Sequence, residues 1–383
     1  MSFNEEWEEV KLGDIAKYSE ERIDSEKIKL ENYISTSNML PNKNGVNKAE
    51  SLPKLNSATK YEKHDILISN IRPYFKKIWF SNTSGGSSND VLVIKTKNNL
   101  IYEKYLYYYL SQGHFFDYMM QGAKGTKMPR GDKSSIMKYK IKFPKDNEEQ
   151  KYIANIFSKF DKKIRNNNKI NQTLEEMAQA IYKSWFVYFE PFQDKKFNKG
   201  KIKEIIEITL GNSPKSDTYN EDGIGLPLLN GASDFNNGRP TSGRYSSKPK
   251  RIAKEGEILL CTRGTIGHVS FADKDYCIGR GVSSMKPQDK IYNEYVYFTV
   301  KYYLEKLKRE AAGSVIRGLT KSDMLNIPIV KCNKNIFKEF HNLMGPIINK
   351  QLTIIKENKT LKELRDTLLP KLMSGEINVL SSK

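Results

Sequence analysis

Two stretches carry the residues best suited to binding chemistry, GTKMPRGDKSSIM (125–137) and GSVIRGLTKSDML (313–325). Gly125 recurs as Gly313 and Lys133-Ser134 as Lys321-Ser322 at one constant offset, whereas Arg130-Gly131 and Arg317-Gly318 stand one residue out of step with it. Each stretch is Gly-rich, basic and polar, so it reads as a loop. The Lys-Ser-Ser or Lys-Ser-Asp that follows reads as the start of a short helical turn, since Ser and Asp cap helix N-termini. Arg and Lys beside a helix start suit a phosphate, because free backbone N–H groups and the helix dipole both attract anions. The alternative is a capped turn on a solvated basic surface. Two copies on a chain with 64 Lys and Arg against 45 Asp and Glu, a formal net charge of +19, favour contact with DNA. Charge alone leaves RNA and an anionic membrane open as partners.

Catalytic machinery is not legible. The chain has no G-x-x-x-x-G-K-[ST] phosphate loop, no G-x-G-x-x-G after a strand, no H-E-x-x-H helix and no N/D-P-P-Y/F motif of amino-methyltransferases. His64, His114, His268 and His341 are isolated in sequence and read as structural or surface residues. Cys261, Cys277 and Cys332 form no C-x-x-C pair and read as ordinary thiols, neither a disulfide framework nor a zinc site. The acidic stretch NEEQK (147–151) comes nearest to a metal-binding cluster, and a charged helix N-terminus explains it more simply. A non-catalytic chain without a metal is expected.

The elements that position the loops are themselves repeated. A length of 383 residues predicts two or three domains, and 38% hydrophobic with 28% charged residues fits a soluble folded chain. The longest apolar runs fall far short of the roughly 20 residues a bilayer span needs, and the N-terminus lacks a targeting pattern, so a cytoplasmic location is expected. Before each loop comes a hairpin pattern, KHDILISNIRPYFKKIWF (63–80) or KEGEILLCTRGTIGHVSFA (254–272), and then a strand-like run, SSNDVLVIK (87–95) or GRGVSSMKP (279–287). Tyrosine-rich helices follow, at 102–116 and 292–307. Tyr105, Leu106, Tyr109 and Leu110, like Tyr295, Val296, Thr299 and Val300, have the spacing of a face packed on a sheet, which is favoured over base stacking. After the loop each copy adds a short strand, YKIKFP (139–144) or IPIVK (327–331).

Each copy then ends in a long helix. From Glu148 to Phe186 there is neither Pro nor Gly, and apolar residues recur at Ile153, Ile156, Phe160, Ile164, Ile170, Leu174, Met177, Ile181 and Trp185. The second series is Phe337, Phe340, Met344, Ile348, Leu352, Ile355, Leu361, Leu364, Leu368 and Leu372. Gaps of three and four mark an a/d seam, with Asn167 and Asn358 in its vacant places, and a buried polar residue there fixes register. Such narrow stripes predict that the two helices pair with each other, antiparallel if a pseudo-twofold axis relates the copies, with one globular domain at each end. Gly345-Pro346 predicts a second helix that is bent or in two pieces. EPFQDKKFNKGK (190–201) reads as a connector, after which KIKEIIEITLGNS answers the N-terminal WEEVKLGDIAKYS.

In its order of motifs the chain resembles the specificity subunits of Type I restriction-modification systems. The resemblance rests on WEEVKLGDIAKYS, the HDILISNIRP and GEILLCTRGTIG hairpins, the GT…MPRG and GS…IRGLT loops, FPKDNEEQKYIANIFSKFDKKI and LKELRDTLLPKLMSGEI, and it covers essentially the whole chain. It implies an α+β fold of two similar target-recognition domains joined by two long antiparallel helices in a coiled-coil spacer. The implied boundaries are 1–147 for the first domain, 148–189 for the central helix, 190–334 for linker and second domain, and 335–383 for the C-terminal helix. The implied function is recognition of a bipartite DNA site, one half per domain, with the gap set by the spacer. The implied partners are two modification subunits and restriction subunits, which would bring S-adenosylmethionine, ATP and Mg, in a bacterial or archaeal cytoplasm. The second copy has KCNKNIFKEF in place of FPKDNEEQKYI, which puts symmetric partner docking in question. The rival reading is a non-catalytic coiled-coil adaptor for RNA or protein.

Candidate DNA-binding residues are Arg72, Lys76, Lys127, Arg130 and Lys133 in the first copy, and Asn230, Arg263, Arg280, Arg317 and Lys321 in the second. Arg is suited to guanine, Asn to adenine and Lys to phosphate. The spacer seam is assigned to Ile153, Ile156, Phe160, Ile164, Leu174 and Ile181 on one helix and Phe340, Met344, Leu352, Ile355, Leu361 and Leu368 on the other.

Overall fold

The apolar runs ILIS and ILLC each become a strand buried on both faces. In the computed structural model, which describes residues 7–52, 56–97, 99–194, 196–236, 238–264, 267–310 and 318–377, Ile66–Ser69 lies between Val91–Thr96 and Ile78–Phe80. Ala16–Tyr18 pairs on the far side of Val91–Thr96, and every pairing in this sheet is antiparallel. The second copy repeats it strand for strand, with Ile258–Cys261 between Val282–Pro287 and Val269–Phe271, and Ile206–Leu210 at the edge. Side chains alternate faces along a strand. Ile66 and Ile68 therefore join Tyr105, Leu106 and Phe115 in one cluster, while Leu67 packs with Ile34, Met39 and Tyr61 in another. Ile258 and Leu260 likewise pack with Tyr295, Val296 and Phe298, and Leu259 and Cys261 with Leu229, Tyr276 and Ile278.

The chain forms two compact units, one of residues up to Asn167 with those from Lys356 onward, the other of 168–355. Unit 1 adds a second four-stranded sheet, of Arg22–Asp24, Ser57–Tyr61, Gly85–Ser87 and Tyr33–Ile34. Its counterpart in unit 2 has five strands, Tyr219–Asn220, Tyr245–Ser246, Leu226–Leu229, Tyr276–Ile278 and Ile252–Ala253. Small strands close each copy: Trp7–Lys11 pairs with Lys140–Pro144, and Asn198–Lys201 with Pro328–Lys331. The connector is thus partly a strand, and Phe192 within it is buried against Trp185 with ring centroids 5.4 Å apart.

The tyrosine-rich segments belong to the core. Tyr105 and Tyr295 are fully buried, and their hydroxyls donate to Lys142 O at 3.2 Å and Val330 O at 3.0 Å. In unit 2 the segment is a single helix, Asn293–Glu310, whereas in unit 1 it breaks into Glu103–Leu110 and Gly113–Gln121. Ser111 turns its hydroxyl back onto Tyr107 O, and Gly113 is a weak helix former, which accounts for the break.

Two helices of 40 residues each, Asn147–Phe186 and Lys334–Met373, pair antiparallel within each unit. In unit 1 Arg365 Nη1 meets Asp161 Oδ1 at 2.8 Å, and Tyr108 OH donates to Asp161 Oδ2 at 2.8 Å. In unit 2 Gln351 Nε2 donates to Asn171 O at 3.2 Å, while Glu175 holds Lys301. The seam departs from the expected one. Ile153, Ile164, Phe340 and Met344 are buried, and Ile156, Phe160, Leu174, Ile181, Leu352, Ile355, Leu361 and Leu368 are half-buried. Ile170, Met177 and Leu364, however, are exposed, and Asn171 and Ala178 are buried instead. The stripe that faces inward, Ile164, Asn167, Asn171, Leu174 and Ala178, keeps gaps of three and four, whereas Ile170 would need two successive gaps of three, so the heptad geometry selects the polar Asn171 over the apolar residue beside it. The second helix also runs without interruption through Gly345-Pro346, where buried Phe340, Met344 and Ile348 hold it to the core.

Candidate nucleic-acid interface

In unit 1 the loop GTKMPRG folds into a narrow hairpin. Lys124 and Arg130 exchange backbone bonds of 2.9 and 3.0 Å. The hairpin is stitched to the turn that follows Ile66–Ser69: Gly131 N–H donates to Asn70 O at 3.2 Å, and Arg72 N–H to Pro129 O at 2.8 Å. Arg72 and Arg130 therefore sit on adjoining backbone. Arg72 and Lys76 both take left-handed conformations, φ of 50° and 51°, on either side of the Pro73–Phe75 turn. Such strain in residues other than glycine persists where surrounding contacts over-determine it. Here Asn42 N–H donates to Phe75 O at 2.8 Å and Lys43 N–H to Lys76 O at 3.0 Å. The turn raises Tyr74 and Phe75 into solvent, their rings 4.7 Å apart. Lys127 is exposed in the hairpin loop.

Arg130 is not free. Its Nη2 lies 3.0 Å from Asp90 Oδ1, a carboxylate 40 residues earlier in the chain that no local pattern marks out. Lys133 opens the short helix Lys133–Ile136, with its ammonium 6.0 Å from the Tyr18 ring. The helix start does not offer the open phosphate cradle expected of it. Asp132 accepts from Ser135 N–H at 2.9 Å and Ser134 Oγ at 2.7 Å, and these bonds hold its carboxyl down at about 2. In unit 2 the helix Lys321–Leu325, opened by the exposed Lys321, is capped in the same way, Thr320 Oγ1 accepting from Asp323 N–H at 3.1 Å. An acidic group stands at each start and opposes a second anion.

Unit 2 repeats the stitch, since Leu319 N–H donates to Thr262 O at 3.0 Å. Arg317 lies outside the described residues. Three other candidates converge: Asn230, Arg263 and Arg280 line one open cleft of about 600 Å3, together with Ser213, Ser216 and Tyr219. Four separate segments supply this cleft, so no local pattern could have revealed it. Among the described residues no group of three or more His, Cys, Asp and Glu is placed to hold a metal ion, and no helix is long and apolar enough to cross a membrane.

The model of the Type I restriction modification DNA specificity domain matches residues 4–176 and 194–361. The Type I restriction enzyme MjaIX specificity subunit of Methanocaldococcus jannaschii is 29% identical over 73% of this chain and 70% of its own. The HindI specificity subunit of Haemophilus influenzae is 26% identical over 97% of this chain and 100% of its own. The crystal structure of a Type I S subunit from M. genitalium shares the fold at a TM-score of 0.64, with 18% identity and 97% of each chain covered.

Proposed function

This chain belongs to the Type I restriction-modification DNA specificity family, as a DNA-recognition subunit, and we propose that each of its units reads one half of a bipartite DNA site. The observation that carries this reading is a duplicated frame with unlike side chains. The same four-stranded sheet and the same loop-to-turn stitch occur twice, yet the first copy presents Arg72, Lys76, Lys127 and Arg130, and the second Asn230, Arg263, Arg280 and Lys321. Two copies of one scaffold that carry different edge-reading groups are suited to two different short sequences.

The paired helices set the distance between the half-sites. The proposed boundaries are those of the sequence: 1–147 for the first recognition domain and 190–334 for linker and second. The chain is non-catalytic and docks two modification subunits along its helices, with restriction subunits completing the assembly. S-adenosylmethionine, ATP and Mg belong to those partners, and the complex works in the cytoplasm.

Co-expression of the chain with its modification subunit, followed by single-base sequencing of methylated DNA, tests this function. Methylation at a split sequence with a fixed gap is expected. Methylation at one continuous sequence would overturn the bipartite reading, and RNA binding without DNA specificity would favour the adaptor reading instead.

A further inference from the structure

One tight turn occupies the same place in both units. In unit 1 Ser88 N–H donates to Ile34 O at 2.8 Å, Asn70 N–H to Asp90 O at 2.8 Å, and Val91 N–H to Ser88 O at 2.9 Å. In unit 2 Gly279 N–H donates to Leu229 O at 2.8 Å, Thr262 N–H to Gly281 O at 2.8 Å, and Val282 N–H to Gly279 O at 3.0 Å. These matched bonds align Ser88-Asn89-Asp90 with Gly279-Arg280-Gly281.

The side chains on this common turn are opposite in character. Unit 1 presents acceptors that arginines already answer: Asp90 holds Arg130 at 3.0 Å, and Asn89 Oδ1 accepts from Arg22 Nη1 at 3.1 Å. In unit 2 the position of Asp90 is Gly281, which has no side chain, and the position of Asn89 is Arg280. The glycines are required there. A Cβ on Gly279 would stand 1.9 Å from Asn230 Oδ1, and one on Gly281 would stand 2.2 Å from Asn230 O. Their absence lets Asn230 press against the turn, where Ser213 Oγ accepts from Arg280 N–H at 3.3 Å and donates to Asn230 Oδ1 at 3.3 Å. Asn230 Oδ1 thus faces the protein, and Nδ2 is left without a partner among the described residues.

The cleft so formed offers donors. Arg263 and Arg280 are exposed, and neither forms an ion pair with a carboxylate among the described residues. In the major groove only guanine presents two acceptors side by side, N7 and O6; adenine pairs an acceptor with a donor, thymine an acceptor with a methyl group, and cytosine shows a donor. We propose that the unit 2 cleft takes the acceptor-only edge of a guanine, with Arg280 and Arg263 as the donors that specify it. This rests on the reading that each unit contacts one half-site. A phosphate oxygen has the same acceptor chemistry, and the experiment must separate the two.

The test uses the full chain assembled with its modification subunit. Methylated sites are sequenced for the wild type, Arg280→Ala, Arg263→Ala and Arg280→Lys, and affinities are measured on duplexes altered one base pair at a time. The expected result is a G·C pair in one half-site at which Arg280→Ala loses discrimination by about tenfold or more, while the other half-site is read as before. The lysine variant keeps the charge and loses the two-pronged contact, so it relaxes the same position. A variant that weakens binding to all duplexes alike while keeping the full sequence identifies a phosphate contact and overturns the proposal. Relaxation at an A·T pair overturns it as well. A wild type with no bipartite site overturns the function itself, whereas an intact site that no variant alters overturns only the guanine assignment.

Discussion

Asn167 Nδ2 donates to Asn358 Oδ1 at 2.9 Å, both side chains being buried in the seam between the two long helices of unit 1. The same amide also reaches Glu357 Oε2 at 2.9 Å, and Lys163 lies 3.1 Å from Glu357 on its other side. Apolar residues tolerate sliding by one heptad, but an amide pair does not, because a slip would bury each amide against hydrocarbon.

Replacing Asn167 by Ala should therefore destabilise the chain by about 1–3 kcal/mol, the cost typical of a buried polar group losing its partner. The double variant Asn167→Leu, Asn358→Leu should recover much of that stability while widening the range of gaps methylated between half-sites. Denaturant unfolding and methylated-site sequencing read the two effects separately. A double variant that is less stable than the single one would contradict this account of the seam.

Gln150 should matter more than its place in an acidic run suggests. It is fully buried; its Oε1 accepts from Tyr102 N–H at 2.7 Å, and its Nε2 donates to Leu100 O at 2.9 Å and Pro144 O at 2.8 Å. In unit 2 the same fourth position of the long helix holds Phe337, whose ring centroid lies 5.1 Å from that of Tyr292, and Tyr292 N–H donates to Asp289 O at 3.0 Å instead. Gln150→Ala should cost about 2–3 kcal/mol, and Gln150→Glu should cost more as pH rises, because an ionised carboxylate would face two carbonyl oxygens. Thermal melts of both variants between mildly acid and neutral pH check the order and the sign.

Asp132 makes a pH prediction. Its bonds to Ser134 and Ser135 lower the carboxyl from 3.8 to about 2. A depressed folded value means that the cap's contribution is present in full above the unfolded value near 4 and is lost as pH falls through the folded one. Side-chain NMR titration should place the Asp132 midpoint near 2, and Ser134→Ala should move it upward. An unshifted midpoint near 4 would show that the cap does not form.

Lys76 and Lys127 should act as phosphate contacts. Removing either should weaken binding to all sequences alike and reduce the slope of log affinity against log salt by about 1 each. Sequence-selective loss at either position would reassign it to base reading.

The repeated framework was legible because it rests on local pattern. ILIS and ILLC announce buried strands, and Tyr105 with Tyr295 announces helix faces, whichever partner they meet. Asn167 and Asn358 were visible as gaps in a periodic series. The exchange of Ile170 for Asn171 and of Met177 for Ala178 was not, since a search for apolar residues passes over an Asn and an Ala that the regular spacing of three and four turns inward. The caps at the loop ends were not legible for a related reason. A Ser or Asp near a helix start shows that a cap is available, but not which side chain takes which N–H, as Asp132 takes Ser135 N–H and Thr320 takes Asp323 N–H. The pairing of Arg130 with Asp90, and the meeting of Asn230, Arg263 and Arg280, depend on segments brought together only by the fold.

Each unit, in this reading, recognises its own half of a split site. Residues 1–147 should be exchanged for the matching segment of a family member with a different known site, and the methylated sequence of the hybrid determined at single-base resolution with the native modification subunit. A changed sequence in one half is expected, with the other half and the gap retained. A change in both halves, or in neither, would overturn the modular recognition of the two half-sites.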